Sequence, residues 1–141
     1  MTILTAFIPM LMDTGGNSGS QSSTLIIRGL ATGEIDLRDW RKVFFKELGI
    51  AVLVGFTLGL FSFLKSVFLG GKNPMIALTV GATLVATVTI AKITGGLLPI
   101  IAKKLKLDPA IMAGPLITTI VDAVSLTVYF TIAVAVLHIS V

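Results

Sequence analysis

A single carboxylate, Asp122, stands inside PLITTIVDAVSLTVYFTIAVAVL, a stretch with no other charge. At membrane depth such a group costs several kcal/mol, so it faces a partner or a watery path rather than lipid. No Lys or Arg occurs from 107 to 141, and the simplest partner is a cation that comes and goes. Thr118, Asp122, Ser125 and Tyr129 are spaced by four, three and four residues, so one helix face carries them all, with Gly114 a turn lower. Such a face can line a hydrated path. A hard divalent cation such as Mg²⁺ suits this chemistry, because it prefers oxygen ligands and keeps much of its water. Soft metals do not fit: the chain has no Cys, and its one His, His138, falls three residues from the end, where it is expected to be inert at the outer surface. One carboxylate is weak for a divalent ion, whereas two chains about a two-fold axis would supply two, and dimers are the commonest closed assembly. Enzymatic chemistry is not expected, because Asp122 lacks a second acid or base and Ser125 lacks a His or Lys at reach.

The elements that must position these residues are membrane helices. Of 141 residues 55% are apolar and only 13% charged, against roughly a quarter charged in ordinary soluble domains. The fold class is therefore all-α, an integral membrane helix bundle in contact with lipid, with residues 1–141 forming one domain. The net charge of +4 does not signal nucleic acid, since the eleven Lys and Arg sit between apolar runs, where they set topology. Without Cys there are no disulfides and no thiolate sites. The amino terminus, MTILTAFIPMLMD, has neither a basic start nor a small-residue cleavage motif, so no removable signal peptide is expected.

About four membrane helices are predicted. Residues 43–69, 74–101 and 109–139 are each long enough to cross, given that about 20 residues span the hydrocarbon core. Asp108-Pro109 reads as an N-cap with proline at the first helical position of the last one. The first region, 2–31, is predicted to be interrupted: apolar 3–12 and 25–31 flank DTGGNSGSQSST, and neither piece spans alone. Two readings stay open from the residues. The polar centre is either buried as a discontinuous membrane helix that offers backbone to an ion, or a solvated loop at 13–24. Gly15, Gly16 and Gly19 would let a ligand or another helix come close. Elsewhere, Thr79, Thr83 and Thr87 form a row expected to pack and to bond its hydroxyls along the helix. Gly55 and Gly59 form a small-xxx-small pair for close helix contact. Lys92 is expected to snorkel to the cytoplasmic interface.

Arg28, Arg38, Arg41, Lys42 and Lys46 crowd the connection at 32–42, and Lys103, Lys104 and Lys106 fill 102–108, whereas the connection between them offers Lys72 with Lys65 nearby. The positive-inside rule then makes 32–42 and 102–108 cytoplasmic and puts the carboxyl terminus outside the cell membrane. The segment GEIDLRDWRKVFFKELG reads as an interfacial helix with Trp40 at headgroup level.

Two long motifs, FIPMLMDTGGNSGSQSSTLIIRGLATGEI and KKLKLDPAIMAGPLITTIVDAVSLTVYF, in that order and at this spacing, make the chain resemble the membrane domain of the MgtE family of magnesium channels and transporters. The resemblance implies a homodimer with its pore on the two-fold axis, lined by the GGN helix (Gly15, Gly16, Asn17) and the aspartate helix. It implies that paired Asp122 carboxylates hold hydrated Mg²⁺, with the backbone at Thr118 one turn below, and it favours an irregular, pore-lining first region. Ser20, Thr24 and Gly114 would form a second polar zone nearer the cytoplasm, with Ser125 also on the pore. Some relatives carry Asn at the positions of Ser20 and Gly114, a departure that bears on ion binding there. Relatives also have a preceding membrane helix and cytoplasmic amino-terminal and CBS domains; the chain is then expected to be a piece of such a protein or a minimal natural relative. The expected function is passive transport of Mg²⁺ and other divalent cations. The alternatives are a non-conducting structural membrane subunit, or a cation-coupled Mg²⁺ exchanger of the same fold.

Overall fold

A computed structural model describes residues 5–68 and 74–137. Lys72 and His138 lie outside the described residues. Within them four long helices follow one another: α1 (Ile8–Thr32), α2 (Trp40–Phe68), α3 (Pro74–Lys104) and α4 (Pro115–Leu137). Single 3-10 turns at Leu37–Asp39 and Pro109–Met112 precede α2 and α4. Three stretches are long and apolar enough to cross a membrane: Leu37–Phe68, Pro74–Lys104 and Pro115–Val136. Helix α1, at 25 residues, is about 37 Å long at 1.5 Å per residue. It has the length to cross but is far more polar.

Helix α3 is the hub, packing on α1, α2 and α4, while α1 also packs on α4. Small residues set these distances. A Cβ on Gly59 would fall 2.8 Å from the Gly81 carbonyl oxygen, and one on Gly55 would fall 3.2 Å from the Val85 Cα. The predicted glycine pair thus brings α2 against α3 backbone to backbone. Between α1 and α3 the approach is closer still, since a Cβ on Gly95 would collide with the Gly19 carbonyl. Thr79 and Thr83 donate their hydroxyls to Met75 O and Thr79 O, both at 2.8 Å, as expected of the threonine row, whereas the buried Thr87 hydroxyl departs from it and has no partner. The outer side of α2 presents Phe45, Leu53, Phe56, Phe61 and Phe68, an apolar surface of the kind that faces lipid.

Three expectations need correction. The first region is not interrupted: α1 runs unbroken from Ile8 to Thr32 through Gly15, Gly16 and Asn17, ending at Gly33 with φ 78°. Its polar residues do not break the helix, because the glycines are taken up by close packing and the buried Ser22 and Ser23 donate to Glu47 and to Met112 O on neighbouring elements. Glycine weakens a helix by about 1 kcal/mol relative to alanine, a penalty that tertiary burial outweighs here. The last membrane helix starts at Pro115 rather than 109. Asp108 does cap, accepting from the Ala110 N–H at 2.9 Å, but the cap serves a single 3-10 turn. Gly114 then takes φ 58°, a left-handed conformation, before Pro115, whose ring disfavours α geometry in the preceding residue. The interfacial segment is not a separate helix either, since α2 begins at Trp40 and continues without a break.

Candidate ion site

Helices α1 and α4 meet along the GG pair. A Cβ on Gly16 would fall 3.3 Å from Asp122 Oδ1 and 3.5 Å from Thr118 Cγ2, so these two α4 side chains lie directly over the Gly16 backbone. Gly15 faces deeper: its Cβ would meet Ser125 Oγ at 2.7 Å, Thr87 Cγ2 at 2.8 Å and Val121 Cγ1 at 3.2 Å. Bulk at either position would separate α1 from α4. Glycine is what allows the contact.

Asp122 Oδ1 is buried and has no hydrogen-bond partner. Buried carboxylate oxygens are ordinarily satisfied, because desolvation without compensation costs several kcal/mol. Among the described residues Thr87 Oγ1 is the other buried side-chain atom without a partner. Asp13, exposed on α1 one turn before Gly16, lies within electrostatic reach of Asp122. Among the described residues no group of three or more acidic or His residues gathers to hold a metal. One or two carboxylates with carbonyls and hydroxyls suit a cation that keeps its water.

The predicted α4 face divides in two. Thr118 and Asp122 are half-buried, whereas Ser125 and Tyr129 are sealed in the interior. Ser125 donates to Val121 O at 2.7 Å and faces Gly15. Tyr129 packs with Leu11, Leu84 and Ala133. Thr118 spends its hydroxyl on its own helix, at 3.0 Å from Pro115 O. On α1, Asn17, Ser20 and Thr24 share an open groove of about 440 Å³ with Gln21 and Leu25. Gly114 lies at the foot of α4 with nothing within 4 Å of where its Cβ would be. The sequence-predicted residues thus form two groups: Gly16, Thr118 and Asp122 at one α1–α4 contact, and Asn17, Ser20 and Thr24 along the adjoining groove.

A family model for MgtE, described as a divalent cation transporter, matches residues 8–132. The chain belongs to the MgtE family. It is 44% identical over 133 residues to the magnesium transporter MgtE of Thermus thermophilus, covering 94% of this chain and 29% of that protein. Against the magnesium transporter MgtE of Bacillus subtilis it is 37% identical over 135 residues, covering 96% of this chain and 30% of the relative. The magnesium transporter MgtE of Enterococcus faecalis is 31% identical over 132 residues, 94% of this chain and 29% of that protein. The chain thus spans a little under a third of the length of these relatives. With its three apolar helices of spanning length, this MgtE-family chain is a multi-pass membrane protein, and the resemblance read from its two motifs holds over nearly the whole chain.

Some polar groups of this MgtE chain escaped the sequence reading. Lys92 does not snorkel to an interface. It is buried, 7% exposed, and donates to Ser22 Oγ at 3.2 Å, while Ser22 donates to Glu47 Oε2 at 2.5 Å. Lys92 stays inside because Glu47, from α2, neutralises it there, with Nζ and Oε2 3.9 Å apart. A lysine and a glutamate 45 positions apart give no spacing signal. Gln21 and Asp13 were also missed, although helical periodicity puts both on the side of α1 that carries Asn17, Ser20 and Thr24.

Proposed function

We propose that this chain forms a membrane path for hydrated Mg²⁺, with Asp122 as the residue that holds the ion. The observation that carries this reading is the bare, buried Asp122 Oδ1 set over Gly16 in an otherwise apolar helix. The family's description as a divalent cation transporter and the relatives' printed names as magnesium transporters support the choice of ion. The ion keeps its inner waters, because Mg²⁺ dehydrates reluctantly. Its waters bond to Asp122 and to the backbone near Gly16 and Thr118. Asn17, Ser20 and Thr24, with Gly114 at the foot of α4, continue the path as a second polar zone, and Gly15 and Ser125 form the wall behind it.

In this reading two chains pair about a two-fold axis. The exposed polar side of α1 (Asp13, Asn17, Gln21 and Thr24) supports the pairing, since a helix at membrane depth cannot leave such a face against lipid. A second copy opposite it encloses water and supplies a second Asp122, matching the ionic charge. Transport is passive, with 32–42 and 102–108 cytoplasmic. An inside-negative potential then draws a divalent ion inward by about 4.6 kcal/mol per 100 mV, twice the single-charge value. Selection against Ca²⁺ rests on hydration, as Ca²⁺ sheds water more easily and accepts longer, irregular coordination.

Calorimetric titration of the purified protein with Mg²⁺ and Ca²⁺, beside Asp122→Asn, tests the proposal. Saturable Mg²⁺ binding that vanishes in the variant is the expected result. Equal binding by parent and variant would remove Asp122 from the mechanism.

A further inference from the structure

We propose that the buried Ser22–Glu47–Lys92 cluster is a positioning device that fixes the rotation of α1, and with it the direction in which the ion path opens. The proposal rests on the transport reading above only for what the open face of α1 does; the rotation itself is a separate matter. Ser22 is fully buried, Glu47 is 3% and Lys92 7% exposed, and each comes from a different helix. The serine hydroxyl sits between the two charges, accepting from Lys92 Nζ at 3.2 Å and donating to Glu47 Oε2 at 2.5 Å. Gly96 makes room for the carboxylate: a Cβ there would come 2.9 Å from Glu47 Cγ. The cluster therefore has its own niche.

Its placement on α1 gives it a use. Asp13, Asn17, Ser20 and Thr24 are nine, five, two and two residues from Ser22. At about 100° per residue, all four point about 140–180° away from it. Ser22 thus marks the back of the helix whose front lines the groove. One turn earlier, α1 meets α3 through Gly19 and Gly95. That contact brings the helices close, but two glycines offer no side chain to stop one helix turning on the other. A charged pair bridged by a hydroxyl does, because any turn of α1 withdraws Ser22 and leaves buried charges less well satisfied. Buried ion pairs often add little net stability over apolar residues of similar volume, and registry is their best-attested role.

The chain contains no cysteine, so single cysteines can report on the rotation. Asn17→Cys sits on the exposed front and Ser18→Cys in the buried back, where Ser18 is 8% exposed. In the parent, a polar thiol reagent should modify Cys at 17 faster than at 18 by about tenfold or more, since reaction at 18 needs local opening. Each is then combined with Glu47→Met/Lys92→Met, which removes the charges but keeps chain length, and folding is checked by thermal unfolding. The expected result is a folded protein whose labelling ratio falls toward one, with Mg²⁺ titration of the same double variant weakened by a similar factor. A folded double variant that keeps the parent ratio overturns the proposal, for the cluster then only fills space. If the double variant does not fold, Glu47→Asp replaces it, withdrawing the carboxylate by one methylene while keeping both charges, and an unchanged ratio there overturns the proposal equally. A ratio that collapses in a protein whose parent binds no Mg²⁺ supports the positioning role and refutes the transport reading instead.

Discussion

Adjacent glycines at 15 and 16 should fail in different ways when each is replaced by alanine. Both gain the same helix propensity, about 1 kcal/mol, so the difference between the variants isolates what the new methyl meets. At Gly15 it falls 2.7 Å from Ser125 Oγ and 2.8 Å from Thr87 Cγ2. Ser125 is held by its bond to Val121 O, and Thr87 belongs to the central helix, so neither yields cheaply. Overpacking of this kind costs about 1–3 kcal/mol. At Gly16 the nearest atom is Asp122 Oδ1 at 3.3 Å, the end of a side chain that can give by a few tenths of an ångström. Gly15→Ala should therefore be less stable than Gly16→Ala by about 1–3 kcal/mol, a difference in Tm of several degrees. Ion binding should run the other way. The methyl at 16 covers the bare side of the carboxylate and excludes one water-bridged, charge-assisted hydrogen bond, worth about 1.5–3 kcal/mol, or roughly a 10- to 150-fold rise in Kd. Thermal unfolding and Mg²⁺ calorimetry on the two purified variants read both effects. A Gly16→Ala protein that binds Mg²⁺ like the parent would refute the assignment of Oδ1 as the ion-facing oxygen, and equal melting of the two would refute the packing argument.

Three further outcomes follow from the same geometry. Thr87→Val should be neutral or stabilising by up to about 1 kcal/mol in thermal unfolding, because the Thr87 hydroxyl is buried without a partner and its loss removes a desolvated group; clear destabilisation would mean that the hydroxyl is used. Gly95→Ala should be the most damaging glycine substitution, exceeding Gly15→Ala in lost Tm, since its methyl meets the rigid Gly19 backbone rather than side chains. Lys92→Met alone should cost about 3–5 kcal/mol by leaving Glu47 buried and uncompensated, and adding Glu47→Met should recover most of it; a double variant no better than the single would show that the two groups are not coupled.

Much of this arrangement is legible in the sequence, and the exceptions have physical causes. Apolar length located two of the three spanning helices to within about three residues and started the last one six residues early, and the four-three-four spacing put Thr118 and Asp122 on one face. Gly55 and Gly59 marked a real close contact. The interrupted first helix was misread because glycine, serine and asparagine carry the composition of a loop; what keeps them helical is the fit of Gly15 and Gly19 against α4 and α3, a tertiary fact without a local trace. Periodicity likewise cannot rank members of a face by depth. Ser125 and Tyr129 share the Asp122 stripe, yet Val121 O takes the Ser125 hydroxyl and the Leu11 cluster takes the ring. The Asp108 cap was read correctly and given the wrong helix, since Gly114-Pro115 resets the chain six residues later.

Lys92 and Asp122 show why an intramembrane charge must be judged by its partner rather than by its depth. From sequence they looked opposite: Lys92 able to escape to an interface, Asp122 trapped. Lys92 instead holds a buried place because Glu47 and Ser22 meet its needs within the chain. A charge satisfied in this way has no further demand on solvent or ligand, and what remains for it is geometry: it resists being moved. Asp122 Oδ1 has no partner, so its desolvation is left uncompensated until something with positive charge or a hydrogen to donate arrives. In the proposed transport role, the same cost that makes the first group a fixture makes the second a receptor. Under the proposed transport role the unsatisfied acid has a use that an asparagine or alanine at the same position would lack, which is the difference the Asp122→Asn titration reads.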